Sequence, residues 1–375
     1  MGTVTMQDNL FTINFKKGAC RMRSSIVKII FVILSFSIIF FSLQRLFMPK
    51  FATPPGLEGG MMREYYQSSF DHDIIFLGDC EVYANFSPIT LWEEFGITSF
   101  IRGTPQQLIW QSYYLLQDTL RFETPQVVVL NVLAMQYNEP QNAAYNRLTL
   151  DGMRWGMPKI RAIRASKTEE ENWYSYIFPF FRYKDRWRDI NAGDFRYFFR
   201  SPRVSLQGFM IRTDVMPAGW IPAHTPRRSY QFGENAFEYL TRIVQLTNEH
   251  DITLVLVKAP TLYPHWPMQW HRQIENFAMK HDILYINFLD YIDEIGLDFN
   301  YHTFSGGLDL NVFGAEKLSS FFGNWLLTQI NLPNRSNEPT TATHWNELSA
   351  LYHHVIARQL NEIAQYGRIQ SFRIE

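Results

Sequence analysis

Thiols are scarce in this chain: Cys20 and Cys80 are the only two among 375 residues. No Cys/His cluster at metal-ligand spacing and no Gly-rich phosphate loop accompanies them, so neither a metal nor a cofactor is expected. A dominant charge sign is missing as well. The formal net charge is -1 and no run of like charges exceeds three, which leaves no global field to draw nucleic acid. Internal repeats and low-complexity segments are also lacking. What the chain has in abundance is aromatic side chains, 16% of residues, enough for a substantial core or an aromatic-lined groove. Its length suits one large domain or two modest ones.

One long apolar run is present, "IVKIIFVILSFSIIFFSLQRLFM", residues 26–48, uncharged from Ile29 to Leu43. With Lys28 and Arg45 snorkelling at its ends, it is long enough for one helix across a ~30 Å hydrocarbon core. Lys16, Lys17, Arg21, Arg23 and Lys28 precede or open the run, and only Arg45 and Lys50 lie at its far side. That asymmetry predicts residues 1–25 in the cytoplasm and the remainder outside. A cleaved signal peptide is the competing reading. The long stretch before the run and the lack of a small-x-small site after it favour a retained anchor. The bilayer then separates Cys20 from Cys80, making Cys80 an unpaired exported thiol. It is either a reactive group or a small buried hydrophobe.

Residues 49–70, with their Pro and Gly content, read as a linker. Strand and helix signals then alternate. Strands are expected at 73–78, 97–103 and 125–133, with helices at 88–95 and 105–122 between them. The alternation returns with a helix at 234–251, a strand at 252–260, a helix at 270–282, a strand at 283–292 and a helix at 311–330. This order implies an α/β domain over 71–330, its mostly parallel sheet covered by helices on both faces. Residues 140–232 interrupt it. Their Arg154–Arg203 stretch carries twelve Lys/Arg against six Asp/Glu among many aromatics. The insert reads as a helical cap, or as a surface for an anionic glycan or the membrane. Thr168 and Glu171 match a capping box, predicting a helix start there. After Pro333 a polar linker leads to a helix from His344 to Tyr366, whose apolar stripe docks on the domain or on a partner.

The stretch "IIFLGDCEVY" places Cys80 where a buried strand turns into a helix. There the backbone is fixed, helix-terminal amides favour a thiolate and an oxyanion, and the side chain meets the sheet edge that binds ligands. Asp79 is expected to brace the turn. His265, at a strand's carboxyl end, is a candidate ligand-facing residue on the same edge.

The ordered series "FLGDC", "IRG", "VVVLN" and "GLDLNVFGAEKLS" resembles the SGNH/GDSL hydrolase superfamily over about residues 72–138 and 250–328. The nearer likeness is its membrane-anchored branch, which includes the D-alanyl-lipoteichoic-acid D-protein and the alginate O-acetylation proteins. The resemblance implies a three-layer, flavodoxin-like domain. It puts Cys80 at the serine nucleophile's position, with the Gly103 amide and the Asn131 side chain as oxyanion donors. The last motif departs from the pattern. Asp309 falls where the family has its His, Ser305 falls near the family's Asp, and His302 is the nearest substitute base. The implied setting is a bacterial cell membrane, and the implied partners are the bilayer, a cell-envelope polymer and a membrane-bound O-acyltransferase. Two functions stay open. One is acyl modification of the polymer through a Cys80 nucleophile. The other is an SGNH fold that has lost turnover and serves in binding or docking.

Overall fold

A computed structural model describes residues 7–49, 59–69, 71–199, 203–223 and 226–374, with side chains from Ser25 onward. Residues 50–58 and 70 of the expected linker and the Cys20 side chain lie outside the described residues. The described residues group into two compact units. One holds the residues up to Pro49 together with Ile177–Phe199, and the other holds the remainder.

In the first unit a single helix runs over Gln7–Phe47. Its Ser25–Phe47 portion is long and apolar enough to cross a membrane, and most of its apolar side chains are exposed. Residues 177–199 pack against its carboxyl-terminal turns through Phe178 and Phe180, which contact Phe40 edge-on.

The second unit is built on five parallel strands, β1 (Ile74–Gly78), β2 (Ser99–Gly103), β3 (Val127–Asn131), β4 (Thr253–Lys258) and β5 (Leu284–Asn287), in the order β2-β1-β3-β4-β5. The predicted α/β class and each predicted strand are found. The near-continuous apolar runs have a simple cause: both faces are covered. Ile74, Phe76, Val127, Val129, Val255 and Val257 face one core, while Ile75, Leu77, Val128, Leu130, Leu254 and Leu256 face the other. The chain goes from β1 outward to β2, then back past β1 to β3. The crossovers therefore diverge between β1 and β3, the crevice where open α/β sheets bind ligands.

Three boundaries differ from expectation. The end of the 49–70 linker is folded: a short helix, Gly60–Glu64, buries Met61 and Met62, and Tyr65 follows at 0% exposure. Thr168 does not start a helix. Glu171 accepts from the Thr168 amide (3.0 Å) and from Tyr176 (2.5 Å), closing a turn after the helix Met157–Ser166. The capping-box residues are thus used for a local tie, which these side chains make as readily outside helices. The final helix begins at Pro339, five residues early, because Pro suits a first turn.

This final helix, Pro339–Tyr366, docks on the domain. Trp345 stacks on Trp92, the Tyr352 hydroxyl donates to Glu316 (2.8 Å), and Gln359 bonds the Ile211 carbonyl and the Thr213 amide.

Candidate functional site

β1 ends at Gly78, and Asp79 caps a single helical turn, Cys80–Tyr83, its carboxylate accepting from the Glu81 amide at 3.1 Å. Four residues make a much weaker dipole than the helix expected from the sequence, so its support for a thiolate is correspondingly small. The turn sits tightly on the sheet. An added Cβ at Gly103 would lie 2.6 Å from Val82, and one at Gly78, where φ is +152°, would lie 2.8 Å from the Asn131 Cβ. Gly103 is therefore required for close approach of the turn, whatever its amide does.

Cys80 is partly buried and lies close to Asp309, whose charge acts on it. Burial pushes the thiol well above its ordinary value, and the carboxylates of Asp309, Asp79 and Glu81 push it further. Asp309 is itself raised to about 6, by burial first and by Glu81 next, while Cys80 and Ser305 lower it. Moving the thiol proton onto Asp309 is therefore uphill. Asn85, fully buried just after the turn, accepts from the Leu310 amide at 2.8 Å and so ties the Asp309 loop to the Cys80 turn.

Beneath the thiol lies a buried polar network. The Asn131 amide donates to Asp79 (2.9 Å) and to Glu81 (3.0 Å), which occupies both of its hydrogens. Glu81 in turn accepts from Lys258 (2.7 Å) and Thr261 (2.6 Å), and Lys258 also reaches the Ala259 carbonyl and Thr261. Asp79 is raised, first by burial and then by Glu81. In this state Asn131 braces carboxylates, and its Oδ1 is buried with no partner.

The structure brings together Asp79, Cys80, Asn131 and Asp309, with Gly103 beneath the turn and Ser305 bonded to the Asp309 amide at 2.7 Å. It does not bring His302 to the thiol. The His302 Nδ1 accepts from the Asp298 amide (2.8 Å), and burial and Lys317 lower its pKa. His265 bonds the Pro222 carbonyl at 3.0 Å through Nε2.

Sequence reasoning missed Glu81, Lys258 and three tyrosines. Tyr83 and Tyr137 both feel the charge of Cys80 and Asp79, and both also feel Tyr145. Burial is the main reason that Tyr83 stands well above its ordinary value and that Tyr137 is raised to about 12. Lys258 carried a usable signal. A lone lysine ending the apolar run "LVLVK" implies a buried acid nearby.

No protein-family model matches this chain, and no curated protein matches it. Among solved structures, a GDSL-like lipase from Bacteroides thetaiotaomicron is similar at 10% identity and TM-score 0.34, covering 72% of this chain and 99% of that one. A protein assigned as an acylhydrolase from Bacteroides fragilis has 9% identity and TM-score 0.36, with 72% and 97% covered. One assigned to the G-D-S-L family of lipolytic proteins, from Desulfitobacterium hafniense, has 10% identity and TM-score 0.32, with 67% and 97% covered. Likeness at this level carries no argument about activity. The chemistry of the site rests on its own geometry.

Proposed function

We propose that this chain is a membrane-anchored SGNH-like protein of the bacterial cell envelope that binds an acyl-bearing polymer, or docks on a membrane-bound O-acyltransferase, without turning over an ester. The observation that carries this reading is the Cys80 thiol set among the carboxylates of Asp309, Asp79 and Glu81, with no imidazole bonded to it among the described residues. A nucleophile needs its proton removed, and each of these neighbours holds the proton on. What remains suits binding. The site lies at the divergence of β1 and β3, and the half-buried Tyr137 and Tyr145 supply rings that are apolar on their faces and polar at their tips. On this reading the apolar helix is retained, its basic end is cytoplasmic and the domain is outside.

A second reading keeps Cys80 as the nucleophile of an acyl transfer, and the nearness of the Asp309 carboxylate favours it. The two separate on the full chain in detergent. Exposure to p-nitrophenyl acetate and to an acetyl thioester at neutral pH, followed by intact mass, is expected to leave Cys80 unmodified while acetylated polysaccharide still binds. An acetyl adduct that disappears in Cys80→Ala overturns the binding reading.

A further inference from the structure

Residues 177–199 and the apolar helix form one compact unit, and the segment meets the helix at a definite level. Phe178 and Phe180 contact Phe40, Phe180 contacts Phe47 (5.2 Å between ring centres), Arg45 donates to the Phe198 carbonyl (2.7 Å) and Arg186 donates to the Phe47 carbonyl (2.5 Å). Arg186 is itself held by the buried Asp194 at 3.2 Å. Ser25–Phe47 is 23 residues long. At 1.5 Å per residue that is about 35 Å, slightly more than a ~30 Å hydrocarbon core. The level from Phe40 to Phe47 is therefore the last ~10 Å of the span, the depth at which interfacial segments lie.

The outward side of the segment has the composition of that depth. Phe181, Trp187, Phe195 and Phe199 are 48, 61, 62 and 92% exposed. Five Lys/Arg stand against three Asp over residues 177–199, and one of those Asp is spent on Arg186. Exposed rings among cations, continuous with an exposed apolar helix, fit the boundary between acyl chains and phosphates.

We infer that residues 177–199 are an interfacial collar around the end of the span, its aromatic rings set into the acyl boundary and its cations on lipid phosphates. The inference rests on the membrane-anchor part of the proposed function, and its test separates the two.

The full chain, with Cys20→Ser and Cys80→Ser, receives one new cysteine at a time: Ile33→Cys, Phe195→Cys, Phe199→Cys or Met279→Cys. Each is labelled with bimane in nanodiscs of phosphatidylcholine and phosphatidylglycerol, after a melt has shown the fold intact. Labels at 195 and 199 are expected to be quenched by headgroup-level nitroxide lipid and to be about fivefold less accessible to iodide than the label at 279. If 195 and 199 respond to iodide as 279 does while 33 is quenched only by deep nitroxides, the collar fails and the anchor stands. If 33 also responds to iodide, both fail. Adding Lys184→Gln and Arg188→Gln is expected to raise iodide access at 199 about twofold. Unchanged access would remove the phosphates from the inference.

Discussion

The two ends of the strands treat buried carboxylates in opposite ways. At the amino ends, Asp73 accepts from the Thr98 amide and hydroxyl and from Arg335 at 2.9 Å, and Glu123 accepts from His72 and Tyr65. Burial works to raise Glu123, but the bonds from His72 and Tyr65 win and it is lowered. At the carboxyl ends, Asp79, Glu81 and Asp309 crowd one thiol; Lys258 bonds Glu81 and its charge reaches Asp79, while the charge of Arg212 reaches Asp309. There Asp79 and Asp309 are raised. The first arrangement favours the ionised form of Glu123 and ties the sheet to what flanks it. The second concentrates acids where a stability-driven design would dilute them, which marks the carboxyl end as the site.

The largest expected effect comes from removing the cation. Lys258→Met leaves Glu81 buried and unpaired, and should cost about 3–5 kcal/mol in urea melts. A loss below about 1 kcal/mol would show that the site's charges are not those drawn here.

Gly103→Ala should cost about 1–3 kcal/mol, because its Cβ meets Val82 at 2.6 Å and the turn must shift. A cost near zero would mean that the turn is looser than described, and with it the whole Cys80 geometry.

Asp309→Asn has the smallest effect on stability and the most informative one. A folded pKa of about 6, above the unfolded value, means that the folded carboxyl holds its proton more tightly. Its charge therefore opposes folding above that pH, and the opposition disappears as pH falls through about 6 toward the unfolded value. The variant should melt a few degrees higher than wild type at pH 8 and the same at pH 4. Its Cys80 should also react with iodoacetamide about tenfold faster at pH 7.5, since one carboxylate fewer lowers the thiol pKa. Unchanged thiol kinetics would detach Asp309 from Cys80.

Much of this was legible in the chain. The five strands were found because each is a short apolar run bounded by polar or Gly/Pro residues, a signal that needs no knowledge of tertiary contacts. Asp309 was reached only through motif order, yet it lies close to the thiol. The network beneath was not legible, because Glu81 and Lys258 are 177 positions apart and no periodic pattern links them. The tyrosines escaped for a related reason, since Tyr137 and Tyr145 lie where no period could assign a face. Nor could spacing reveal that residues 177–199 leave their neighbours in the chain and join the first helix.

The docking of the last helix bears on how the domain comes into being. Trp92 donates to Asn346 across 254 positions, and an isolated bridge joins Arg203 to Ile374. A chain made from its amino end can pair β1 with β2 and β3 early, but these contacts wait until residue 345 and beyond have emerged. Until then the Trp92 face of the 88–95 helix is open to water and to other chains. Ribosomes stalled before that point, or nascent chains cut there, should hold a sheet that is already paired and a flank that still adheres to chaperones.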